Sequence, residues 1–160
     1  MRKSVCLGLI LLACIPSLIW GQEDAQGFKG TPWGSEFHQL SGFVPVKEFR
    51  DYGICLRKEE IPIVEGVEAE EIRYDLYKDR FYAVTVRFKG TNNFRLLLDT
   101  MQHRFGVGEE RTKYMEEYEW FSNELIVHLK YSDSQRSGSL EYQFKPIFDQ
   151  ITRDENCCTP

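Results

Sequence analysis

Apolar residues recur at every second position in a series of short runs, and this spacing constrains the fold of the chain more than any other feature. Ile72, Tyr74 and Leu76 alternate with Glu71, Arg73 and Asp75, and Tyr82, Val84, Val86 and Phe88 alternate with Ala83, Thr85 and Arg87. The same spacing returns at Leu125, Val127, Leu129 and Tyr131, and again at Leu140, Tyr142 and Phe144. Shorter runs lie at Ile54 and Leu56 and at Tyr118 and Trp120. A period of two is that of strands with one buried face. Tyr77-Lys78-Asp79-Arg80 makes a short connection, so residues 70–88 read as an antiparallel hairpin. Ser122-Asn123 supplies a second turn, and residues 132–139 read as a polar loop.

The period then changes. Phe94, Leu97, Leu98, Met101 and Phe105 fall on one stripe of an amphipathic helix, with Asn92 or Asn93 placed to cap its start and Gly106 to end it. Nearer the start, Ser35 is placed to cap a short helix from Glu36 to Leu40, closed by Gly42, with Trp33, Phe37 and Leu40 turned inward. Pro146 can open a last helical turn carrying Ile147, Phe148 and Ile151. These elements predict an α+β fold, an antiparallel sheet with its helices packed on one face. Both halves read as a helix followed by strands, which points to a degenerate duplication. At 160 residues with 42% hydrophobic content, the chain is long enough for one domain with a real core. That domain is placed at residues 28–153, after a polar linker at 22–27 and before a tail at 154–160.

The first residues read as an address. Met1, Arg2 and Lys3 precede an apolar run from Val5 to Ile19, too short for a membrane span of about 20 apolar residues and broken by Pro16. A secretory signal peptide over residues 1–21 is the expectation, with cleavage after Gly21. A second reading takes Leu11-Leu12-Ala13-Cys14 as a lipobox with lipidation at Cys14, which would leave a lipid-anchored protein. The expected location is therefore periplasmic or extracellular, or membrane-anchored, with no membrane span in the mature chain. The formal charge is -5, and removal of residues 1–21 takes away Arg2 and Lys3 to leave -7. Such a surface offers no electrostatic footprint for nucleic acid.

Cys55, Cys157 and Cys158 lie beyond the leader. In an oxidising compartment a disulfide from Cys55 to Cys157 or Cys158 is one expectation, and unpaired tail thiols are the other. His38, His103 and His128 show no zinc-ligand spacing, and no metal or cofactor is expected. Acidic clusters at Glu59-Glu60, Glu68 to Glu71, Glu109-Glu110 and Glu116 to Glu119 read as solvated loop charges. No nucleophile elbow, phosphate loop or dinucleotide fingerprint occurs.

Phe28-x-Gly30-x-x-Trp33-Gly34, placed just past a signal peptide, resembles the opening of a group of small exported bacterial proteins of unknown function. Tyr74-x-Leu76-Tyr77-Lys78-Asp79-Arg80-Phe81 and His103-Arg104-Phe105-Gly106 are similar to that group's Tyr-rich hairpin and helix end, over residues 28–131 in all. The resemblance implies export and no particular activity. The outline is loosely similar to envelope-assembly lipoproteins and to beta-lactamase inhibitor proteins, a likeness of fold alone.

The functional expectation is a non-enzymatic exported protein that binds another envelope protein or stabilises an assembly. The rival is a hydrolase acting on envelope polymers through clustered carboxylates. Alternation puts Arg73, Asp75, Thr85, Arg87, His128, Lys130, Glu141 and Gln143 opposite the apolar set, on a mixed sheet face. Arg73, Arg87, His128 and Lys130 are its candidate binding residues.

Overall fold

The computed structural model describes residues 26–111 and 116–157. It is an α+β fold built on one eight-stranded antiparallel sheet. In chain order the elements are β1 (Gly27–Phe28), β2 (Thr31–Pro32), β3 (Phe43–Phe49), β4 (Tyr52–Arg57), β5 (Ile63–Val64), β6 (Val67–Glu68), β7 (Glu71–Tyr77) and β8 (Arg80–Lys89). Helix α1 (Thr91–Phe105) follows, then β9 (Glu109–Glu110), β10 (Glu116–Phe121), β11 (Leu125–Ser132), β12 (Ser137–Phe144) and helix α2 (Lys145–Cys157). The large sheet runs β3-β4-β7-β8-β12-β11-β10-β9, and β1-β2 and β5-β6 form small ladders of their own.

The alternating runs become the inner strands. Lys78 and Asp79 both take positive φ, 47° and 60°, which is the two-residue turn that matches the twist of a tight hairpin. Ser122 Oγ accepts from the backbone N–H of Leu125 at 2.9 Å and fixes the β10–β11 turn. The loop expected at 132–139 is shorter, a turn at 133–136, because Ser137 and Ser139 already pair with Lys89 and Arg87.

One face of the sheet carries the main core. Tyr74, Val84, Val86, Phe88, Leu129, Leu140 and Tyr142 are buried there under α1, whose Phe94, Leu97 and Met101 are also buried. Leu98 and Phe105 pack at its margin. Trp33 stacks on Phe81 at 4.6 Å, and the buried Trp120 donates its indole N–H to the Gly106 carbonyl at 2.8 Å. Gly106 ends α1 as expected, but the start is Gly90, and Asn93 instead donates to the Lys89 carbonyl. The short helix expected over 36–40 is a single 3-10 turn at Phe37–Gln39, and Ser35 Oγ bonds the Pro32 carbonyl rather than capping it.

Two expectations are corrected. The helices do not share a face: α2 buries Ile147 and Ile151 against Tyr77, with Tyr52 and Tyr82 beside them, on the side away from α1. The residues at 154–157 are not a tail, since α2 continues through Cys157, held by Asp154 and Glu155. Tyr77 Oη and Lys78 Nζ each donate to Asp154 Oδ2 at 2.8 Å, and Tyr52 Oη donates to Glu155 Oε1 at 2.6 Å. Of the alternatives for the cysteines, the disulfide from Cys55 to Cys157 is absent, since both are free thiols. Cys55 is wholly buried on β4 between Pro45 and Tyr74, with its Sγ directed at the Tyr74 carbonyl, so it does not meet the exposed Cys157. Cys158, Cys14 and the leader at 1–21 lie outside the described residues.

Both edges of the sheet are blunt. β3 contains Pro45, a register shift between Pro45 and Lys47, and exposed charges; β9 is two glutamates long. Proline, bulges and charge on an edge strand are devices that oppose further strand pairing.

Candidate functional site

The face away from α1 is the mixed face, and the strand register arranges it in rows. In one row Glu71 pairs with Arg87, Arg87 with Ser139, Ser139 with Lys130 and Lys130 with Glu117. The next row runs Arg73, Thr85, Glu141, His128, Glu119. A third contains Asp75, Ala83, Gln143 and Ile126. All eight residues that alternation assigned to this face are on it. Tyr82, which the same alternation put in the main core, is here too. A bulge sets Leu76 opposite Phe81 but Asp75 opposite Ala83, so Tyr82 is the extra residue and turns toward α2.

The four candidate binding residues each have a carboxylate neighbour. Arg73 Nε lies 3.1 Å from Asp75 Oδ1, and Arg87 Nη1 lies 3.6 Å from Glu71 Oε2. Lys130 Nζ is 3.0 Å from Glu117 Oε1, and His128 Nδ1 is 2.9 Å from Glu119 Oε1. The glutamates of β10 were read from sequence as loop charges. Their alternation with Tyr118 and Trp120 was the signal that they belong to a strand, with Glu117 and Glu119 on the mixed face.

Burial divides the face. Asp75 is 8% exposed, and burial pushes its carboxyl up to about 6 despite Arg73 beside it. Glu119 is 5% exposed; Arg111 Nε is 2.9 Å from its Oε2, off the hydrogen-bond direction, and that oxygen has no hydrogen bond among the described residues. Burial lowers the His128 pKa, outweighing the neighbouring glutamates. The Arg87 side chain is 62% exposed, and with Lys130 it borders a depression of about 370 Å³ over the serines of β12.

At the β3 end the same face turns apolar. Ile54, Leu56 and Tyr52 are half-buried there, beside the exposed Val44, Val46 and Phe49, the last 64% accessible. The two buried carboxylates, Asp75 on β7 and Glu119 on β10, are four strand spacings apart, roughly 19 Å of sheet. Among the described residues no group of three or more His, Cys, Asp or Glu side chains converges as metal ligands would, and no helix is long and apolar enough to cross a membrane.

No protein-family model, curated protein or solved structure matches the chain.

Proposed function

We propose that this is an exported, non-enzymatic binding domain that engages an envelope protein through the mixed face of its sheet. The observation that carries this reading is the pairing, on one surface, of half-exposed ionic rows with the exposed apolar side chains of β3. An apolar patch bordered by polar groups is the composition of a protein-binding surface, and isolated monomers rarely expose a contiguous one without use. The blunt strand edges favour contact through the face over strand addition.

The hydrolase reading fares worse on distance. Paired glycosidase carboxylates stand roughly 5 to 9.5 Å apart across a cleft. The two buried carboxylates on this face exceed that spacing.

Export by a leader at residues 1–21, or anchoring at Cys14, belongs to the same proposal and rests on the sequence. The strand order adds weight to a degenerate duplication: β3-β4-β7-β8 reads forward and β12-β11-β10-β9 backward, with β8 and β12 meeting at the centre.

The test is capture of partners from envelope extracts by the wild-type protein and by the double variant Arg87→Glu, Lys130→Glu. We expect the variant to melt like the wild type and to lose the partner. Undiminished capture by the variant would assign the partner, if any, to another surface. N-terminal sequencing of the exported protein is expected to begin beyond residue 21, and a start at Met1 would remove the export reading.

A further inference from the structure

We propose that the depression between Arg87 and Lys130 receives one carboxylate side chain of a partner polypeptide; this deepens the face-binding reading and rests on it. The argument begins with the order of charges along one row of the sheet. Glu71, Arg87, Ser139, Lys130 and Glu117 stand side by side on five adjacent strands. Both counter-charges are on the outside of the row. The two cations face each other across a small neutral residue, with no acid between them. Like charges held in this way are relieved by an anion placed between them, and that position is over Ser139.

The space is there because the central strand is lined with small side chains. Ser137 and Ser139 are alternate residues of β12; Ser139 stands between Arg87 on β8 and Lys130 on β11, Ser137 between Lys89 and Ser132, and the resulting depression holds about 370 Å³. That volume exceeds what one carboxylate needs and leaves room for the aliphatic stem that carries it. Neither serine hydroxyl has a hydrogen bond to protein among the described residues, so both are free to donate. The Arg87 guanidinium lies 3.6 Å from Glu71, beyond hydrogen-bonding distance, and keeps its forked donors available to a ligand.

The same surroundings select the kind of anion. Glu70, Glu71 and Glu117 all lie near the depression, and Lys89 is already taken by Glu70. A dianion such as a phosphate monoester would meet these acids with twice the charge. A carboxylate carries one charge and presents two coplanar oxygens, which match the guanidinium fork. An aspartate or glutamate of a partner therefore fits this position best.

The experiment is a titration of the ¹⁵N-labelled protein followed by amide shifts, with acetyl-Gly-Glu-Gly-amide as the probe. Its glutamine counterpart and inorganic phosphate are the controls. We expect saturating shifts centred on Arg87, Ser139 and Lys130, and at least tenfold weaker binding of the glutamine peptide. Ser139→Leu, which keeps both cations and fills the floor, is expected to weaken the glutamate peptide at least tenfold. Arg87→Gln, at an exposed position, serves the same purpose should Ser139→Leu fail to fold. Equal shifts with the glutamine peptide, tighter binding of phosphate, or wild-type affinity in these variants would overturn the carboxylate assignment and leave the face reading to the capture experiment. Normal peptide binding together with undiminished capture by the Arg87→Glu, Lys130→Glu protein would instead overturn the assignment to a partner polypeptide.

Discussion

Tyr82 and Val84 stand two residues apart on β8 and face opposite sides of the sheet. Val84 is buried under α1, while Tyr82 packs beside Ile147 and Ile151 of α2. The bulge between them breaks the period of two, and it gives the second helix an aromatic platform made of Tyr52, Tyr77 and Tyr82.

The two helices should therefore loosen separately. Ile147 is almost fully buried, and Ile147→Ala is expected to cost roughly 2–5 kcal/mol, as truncations in packed sites do. Amide exchange should quicken in α2 while α1 keeps its protection. Equal loss of protection in both helices would show one indivisible core.

Within α1 Leu97, like Met101, is wholly enclosed, whereas Leu98 lies at the margin of the cluster. Leu97→Ala is expected to cost roughly 2–5 kcal/mol in denaturant melts, and Leu98→Ala about 1 kcal/mol. The reverse order would mean that the helix is rotated relative to the sheet.

Asp75 makes stability depend on pH with a defined sign. Its carboxyl is raised from 3.8 to about 6 in the folded protein, so the folded state binds its proton more tightly than the unfolded chain does. Stability from this group is then fully present below pH 4 and is lost as pH rises through about 6. The shift corresponds to about 3 kcal/mol. His128, lowered by burial, acts in the opposite direction: its contribution is lost as pH falls below its unfolded value of 6.5. The difference between wild type and Asp75→Asn across pH 4 to 6 isolates Asp75. We expect the variant to lack the downward slope, and identical slopes would show that Asp75 titrates alike in the folded and unfolded states.

Cys55 should be chemically silent. Burial pushes its thiol up to about 12, far above the range in which thiolate forms at neutral pH. Alkylation of the native protein, followed by peptide mapping, is expected to label the exposed Cys157 and to spare Cys55 until denaturant is added. Rapid native labelling of Cys55 would place β4 outside the stable core.

Most inner strands and the long helix were legible from their periods, whereas β3 was not, because Pro45 and the register shift beside it break its alternation. The bulge was not, because Tyr82 is as apolar as its neighbours and either face accepts it. Pairing the helices with faces was equally hidden, since the apolar stripe of α2 at Ile147 and Ile151 states only that something must cover it. The mixed face was readable as a set of residues from alternation alone. The partners of its cations were not, because Glu71 and Glu117 meet Arg87 and Lys130 through registers between strands that sequence spacing does not define. Ser139 drew no attention as a serine in a presumed loop, and only its place between two cations gives it meaning.

The blunt edges of the sheet carry a consequence for how the molecule can associate. A sheet that ended in a long, regular strand could grow without limit, one copy adding to the next. Here Pro45 withholds a donor, the displaced register beside it spoils the repeat, and the two glutamates of β9 repel an approaching copy at the far side. Open-ended growth by strand addition is then opposed at both ends of the sheet, and solutions of the protein should concentrate without forming cross-β fibres.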